Sequence, residues 1–235
     1  WLESLIEQIV SSVVIASRDR FKARLKVIKG EVKGISCNRR REACLDTEII
    51  LLLFESLDKE RSIIIVNFAC HPVIVQVQEL ISADYVGVLE NTVENTLKGI
   101  EGCLFFQGAC GDINPIMGGT RDFRDVYLTG ITLAGEVIKN YGYMRFSDYP
   151  TQPAKIKIAS QNILLPSRPL PNKDEFKKSY DNLKKLLEEV KSKKKKAEIK
   201  SELRRKEECL YRLKEGDKPY SAEIQLIQLG NILLV

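Results

Sequence analysis

Apolar residues recur at three- and four-residue steps through the first stretch of the chain. Leu2, Leu5, Ile6, Ile9, Val10, Val13 and Val14 fall on one stripe, which predicts an amphipathic helix from Trp1 to about Asp19. From Ala23 to Gly34 apolar residues alternate loosely with lysines, as in one or two half-exposed strands, and Cys37–Arg41 reads as a polar loop. Two nearly continuous apolar runs follow, Glu48–Phe54 and Ser62–Phe68. Short, β-branched runs of this kind suit strands buried on both faces. Only Glu55–Arg61 separates them, too little for a crossover helix, so the pair is expected to be antiparallel.

The second run leads into Ala69-Cys70-His71-Pro72. Ser82 then reads as an N-cap, with Asp84 in the first turn of a helix reaching about Lys98. A strand over Gly102–Gln107 breaks into the small-residue segment Gly108–Pro115. Strand, helix and strand at this length form a parallel crossover unit. It sets His71 and the Gly108–Pro115 segment beyond the same ends of neighbouring strands, where ligands of open α/β sheets bind. A further helix is expected over Arg121–Tyr141, with Phe123, Val126, Tyr127, Leu133 and Val137 inward. One strand, Ala154–Leu165, lies in a stretch holding five of the eight prolines. Asn172 then opens a long charged helical region with Glu175 as the reciprocal cap. Its apolar positions lapse at Lys191–Lys196 and resume at Ile199, as in a helical hairpin or one long helix. The run Ala222–Val235 is read as a last strand returning to the sheet. The fold class expected is therefore α/β: a mixed β-sheet with flanking helices and an inserted long helical hairpin at about 172–216.

Composition narrows the picture only slightly. The 235 residues are 44% hydrophobic and carry a net charge of +5, with the lysines gathered in one helical stretch. That is weak support for a nucleic-acid surface, and none is expected. No apolar run reaches the roughly 18 residues that a membrane span requires. The six cysteines form no Cys-x-x-Cys pair and mostly adjoin apolar strands, as buried reduced thiols do. A reducing, cytoplasmic setting follows. Trp1 opens inside a helical pattern and residues 230–235 read as a strand cut mid-course, so a fragment truncated at both ends is expected.

Few residues carry chemistry. His71 is the sole histidine. Taken alone it fits a structural role, a general base or one metal ligand; a zinc site would need partners from elsewhere, or carboxylates such as Asp84 and Asp112. The Gly108–Pro115 segment matches no phosphate-binding pattern. It is either a structural turn capped by Asp112 and Asn114, or a loop whose backbone N–H groups face an oxyanion. The Asn38–Arg41 basic segment is either solvated or supplies an arginine for a carbonyl or anion. Cys70 adjoins His71, but strand neighbours point to opposite faces, so no Cys-His pair is read there.

Taken in order, several segments resemble the neutral/alkaline, non-lysosomal ceramidase family, especially its prokaryotic members. They are Asn38-Arg39-Arg40, Val66–Pro72, Ser82–Gly87, Phe105–Pro115 and Glu223-Ile224-Gln225. The resemblance implies that the 235 residues form part of that catalytic domain. It implies a zinc-dependent amide hydrolase acting on an N-acyl, sphingolipid-like or other amide substrate, and a homo-oligomer is possible. It assigns His71 as a zinc ligand, with the other ligands on an upstream His-x-His motif and a downstream glutamate and tyrosine outside this segment. It further implies that Arg39 and Asn114 act at the reacting carbonyl and that Gly108, Asp112 and Asp84 line the substrate site. One departure stands out: the family serine is replaced here by Asn114, which can donate to an oxyanion but cannot be a hydroxyl nucleophile. The alternative is a non-catalytic α/β scaffold using the lysine-rich helices, Lys193–Lys196 above all, as an interaction surface.

Overall fold

The computed structural model describes residues 1–235 except 41–43, 77–79, 121, 147–148, 152–154, 167–170 and 216–218. Arg41, Arg121, Ala154 and the end of the 172–216 insertion, all at the limits of expected segments, lie outside the described residues. The chain divides into two compact units, one of residues 1–155 with 229–232 and one of residues 156–228 with 233–235.

The first unit contains a four-stranded sheet. Strand β1 (Ala23–Glu31) pairs antiparallel with β3 (Glu48–Ser56), and β3 pairs antiparallel with β4 (Ser62–Phe68). Strand β4 pairs parallel with β5 (Ile100–Gln107), across helix α2 (Asp84–Thr96). The spatial order is β1-β3-β4-β5, a mixed sheet. Alternation along the strands sends Ile49, Leu51 and Leu53, with Ile64, Val66 and Phe68, to one face, and all six are inaccessible to solvent. That face packs under α2 and α3 (Phe123–Phe146) through Tyr85, Leu89, Val93, Val126, Leu133 and Val137. The two helices approach closely because residue 130 is glycine: a Cβ there would sit 2.5 Å from Val88 Cβ and 2.8 Å from the Tyr85 carbonyl oxygen.

Several expectations need correction. The inner side of α3 runs through Val126, Thr129, Gly130, Leu133, Ala134, Val137, Asn140 and Met144, whereas Phe123 and Tyr127 are exposed. At the close crossing it is Gly130, not these aromatics, that meets α2. Helix α1 (Leu2–Arg18) forms, but its apolar stripe buries no residue. Cys37 and Asn38, read as the start of a loop, belong instead to the short strand β2 (Ser36–Asn38), which pairs antiparallel with β6 (Ile113–Pro115). Helix α2 has Ala83, not Ser82, at its N-cap; the Ser82 hydroxyl instead accepts from the Asp84 amide at 2.9 Å.

The second unit is built from β7 (Ile156–Leu165), α4 (Lys173–Glu189), α5 (Lys193–Glu215) and most of β8 (Tyr220–Leu229) and β9 (Ile232–Leu234). The helices form a hairpin rather than one rod, around Tyr180, Ile199 and Leu203. Asn172 caps α4 by accepting from the amides of Asp174 and Glu175. The final run does not join the main sheet. Gly230 takes φ +59°, the chain reverses, and β8 and β9 pair in a separate three-stranded sheet with β7.

At the Ser62 end of the main sheet, Glu55 is almost fully buried (1% exposed) between two cations. Lys26 Nζ lies 3.0 Å from one carboxylate oxygen and Arg145 pairs with the other. Burial opposes ionisation of Glu55, but the Lys26 and Arg145 charges together outweigh it, and its pKa lies below the usual glutamate value. A depressed carboxylate stabilises the fold above its unfolded pKa near 4.5, and that contribution is lost as pH falls through the lower, folded value. Glu55→Gln is expected to destabilise the chain by roughly 2–3 kcal/mol. This is below the ~3–5 kcal/mol typical of a removed buried partner, because Arg145 can turn to solvent. It is also expected to flatten the loss of stability below pH 4.5. Urea midpoints at pH 7 and pH 4 measure both effects, and equal midpoints for the two proteins would show that the triad is neutral.

Candidate functional site

The parallel pairing of β4 and β5 ends at Phe68 opposite Gln107, so the two segments that follow leave the sheet side by side. Their backbones nearly touch. The Gly108 amide donates to the Phe68 carbonyl at 3.0 Å, and the His71 amide donates to the Ile113 carbonyl at 3.0 Å. Glycine at 108 permits this approach, since a Cβ would lie 3.1 Å from Ala69 Cα, Cβ and N. The imidazole of the half-buried His71 sits with Nδ1 3.4 Å from the Cys110 sulfur. Burial pushes the Cys110 thiol up, so it is held as the neutral thiol near pH 7. The tautomer of the ring decides whether the nitrogen or the sulfur donates in this contact.

The β2–β6 ladder carries the basic segment to the same rim. Cys37 lies opposite Asn114 and Asn38 opposite Ile113. The Arg39 amide donates to the Asp112 carbonyl at 2.8 Å, and its guanidinium donates to the Gly111 carbonyl at 2.7 Å. Asn38 donates to the Asp112 carboxylate at 3.1 Å and to the Cys44 carbonyl at 2.9 Å. Arg39 is exposed. Asn114 Oδ1 is buried without a hydrogen-bond partner. An orphaned buried polar atom is costly and is found most often where a ligand or water completes it.

Asp84 stands apart from this group. It is buried, at φ +52°, and its carboxylate accepts from the Val75 amide at 3.1 Å and the Tyr85 amide at 2.8 Å. The adjacent Tyr85 phenol donates to the Cys70 carbonyl and packs edge-on against Phe105. Burial holds that phenol protonated. Asp84 and Tyr85 thus fasten both sides of the His71–Pro72 turn from beneath. The structure brings Arg39, His71, Gly108, Asp112 and Asn114 together on one rim and sets Asp84 one layer inward.

Cys110 is the member of this group that sequence reasoning missed. The sulfur of Cys70, the sequence neighbour, contacts the His71 carbonyl at 3.8 Å and not the imidazole, and burial lifts its pKa to about 12. The partner thiol comes from 39 residues downstream. The signal available was the small-residue loop beyond the parallel strand, with a cysteine at its centre.

A zinc site needs three or four ligands including protein groups. Among the described residues no group of three or more His, Cys, Asp or Glu side chains could hold a metal ion. His71 offers one imidazole, and the described residues do not complete a zinc site.

The chain belongs to the α/β class, with a mixed sheet whose two parallel strands carry a histidine turn and a glycine loop that abut at their carboxyl ends. More particularly, the fold is that of the neutral ceramidases. The structure of neutral ceramidase from Pseudomonas aeruginosa superposes with a TM-score of 0.64, over 98% of this chain and 42% of its own, at 17% sequence identity. A ceramidase complexed with C2 superposes with a TM-score of 0.50, over 66% of this chain and 26% of its own, at 20% identity. The chain therefore spans less than half the length of these neighbours. No protein-family model matches the chain, and no curated protein is similar to it in sequence.

Proposed function

We propose that this chain forms part of the active site of a ceramidase-like hydrolase that cleaves an amide C–N bond in an N-acyl substrate. The observation that carries the reading is the abutment of the His71 turn on the Gly108–Pro115 loop. It supports a site in which an imidazole, an arginine and an orphaned amide oxygen surround one small volume of the rim.

His71 is proposed as one zinc ligand, with the remaining ligands supplied by parts of the full-length protein outside these 235 residues. Bound there, zinc would provide a water of lowered pKa. The chain's own residues do the rest. Arg39, anchored on the Gly111 carbonyl, directs its remaining N–H groups at the substrate carbonyl or the charge it develops. Asn114 completes the donor set once its amide is turned so that nitrogen occupies the orphaned position. Gly108 and Asp112 shape the wall, and Asp84 positions the turn that bears His71. Cys110 holds the imidazole ring in place. With Asn114 where the ceramidase serine stands, the acyl group need not be that of ceramide, and both ceramide and simpler N-acyl amides are candidate substrates. No helix among the described residues is long and apolar enough to cross a membrane. A soluble, cytoplasmic enzyme is part of the proposal.

The test is metal analysis of the full-length protein together with fatty-acid release from an N-acyl substrate. About one zinc per chain and release that stops on chelation and returns with zinc are expected. A metal-free protein that is nevertheless fully folded would end the zinc hydrolase reading.

A further inference from the structure

A polar cavity lies at the other end of the main sheet, about 20 Å along β4 from Phe68, the strand end that leads to His71. Its volume is about 150 Å³, and it is lined by Arg24, Lys26, Glu55, Lys59, Arg145, Tyr149 and Thr151. Four cations thus surround one carboxylate. Glu55 lies directly across the ladder from Arg24, yet its two oxygens are engaged by Lys26 and Arg145. Lys26 also donates to the Met144 carbonyl at 3.3 Å. Among the described residues, no hydrogen bond or ion pair engages the side chain of Arg24 or Lys59. Lys59 is held at the cavity by the β3–β4 turn, where it takes φ +65°.

Unpaired like charges gathered around a concave space repel one another unless an anion is shared between them. The cavity is below the roughly 300 Å³ at which drug-sized ligands begin, and near the ~150 Å³ that takes a single benzene. A ligand of that size bearing two negative charges fits the excess of cations better than chloride or a lone carboxylate. Arg24 supplies a planar fork suited to two oxygens of one group, Lys59 a point charge, and Tyr149 and Thr151 hydroxyl donors. We infer that this cavity is a binding site for a phosphate dianion, either free or at the end of a small phosphomonoester.

The test is calorimetric titration of inorganic phosphate, and separately of glycerol 1-phosphate, into the full chain at low ionic strength. One saturable site per chain is expected. Arg24→Gln combined with Lys59→Gln should weaken it by tenfold or more, while the exposed Lys98→Gln leaves it unchanged. Arg24→Lys should restore part of the affinity, which separates loss of contact from misfolding. Tighter binding of the phosphomonoester would identify the esterified form, and equal or weaker binding the free anion. Three outcomes would overturn the proposal: no saturable binding in the millimolar range, equal binding by the double variant, or displacement by chloride at matching concentration, which marks an adventitious ion only. The site neither uses His71 nor needs zinc, so its failure leaves the hydrolase reading untouched.

Discussion

Replacing His71 with alanine in the full-length protein is expected to abolish stoichiometric zinc binding. Amide hydrolysis should fall by more than the roughly 10–100-fold that loss of an outer partner costs. The comparison is internal. Cys110 touches only the far nitrogen of the same ring, so Cys110→Ala should fall inside that 10–100-fold range and retain measurable metal. Both variants should fold, because the bond from residue 71 to Ile113 uses the main-chain amide and survives the truncation. Metal content and initial rates measured side by side decide the matter. Equal, small losses in the two variants would place His71 outside the metal's immediate ligands.

The largest stability effect is expected at Asp84. Its carboxylate receives two main-chain amides in a buried setting, and a hydrogen bond to a charged group is worth about 1.5–3 kcal/mol. Asp84→Ala should therefore cost about 3–6 kcal/mol. Alanine also loses the local hydrogen bonding that lets aspartate tolerate the left-handed backbone at φ +52°. Asp84→Asn keeps an acceptor and the tolerance for this conformation, so it should lie between the two. The readout is the urea midpoint, with the transition slope as a check that the unfolded state is unchanged. A midpoint shift no larger than that of an exposed substitution would mean that Asp84 does not fasten the turn. If so, its place one layer beneath the rim would again be open to a role in substrate binding.

The sequence pattern disclosed the β3–β4–α2–β5 core because its strands are short, uninterrupted and β-branched, and because connection length alone fixes their relative direction. The shared rim followed from that pairing. The phase of α3 did not, because its buried side includes Thr129, Gly130 and Asn140, and apolar periodicity points instead to Phe123 and Tyr127. The last strand was misplaced for a different reason: the Gly230-Asn231 pair that marks the reversal was read through as part of one strand, and the partner of a strand is not written in its own residues. On the rim, strand pairing placed His71 beside the Gly108–Pro115 loop, and the resemblance added Arg39 to them. Cys110 and the inward role of Asp84 were not legible, since both depend on contacts between segments 9 to 39 residues apart.

The glycine at 108 has a consequence for how such a site can change. With Ala69 and Gly108 in van der Waals touch, and with main-chain bonds stitching the two turns at Phe68 and Ile113, the histidine and the loop behave as one mechanical piece. Neither wall can drift alone. Variation at this rim is therefore easier through side chains mounted on the paired turns than through lengthening or reshaping either turn.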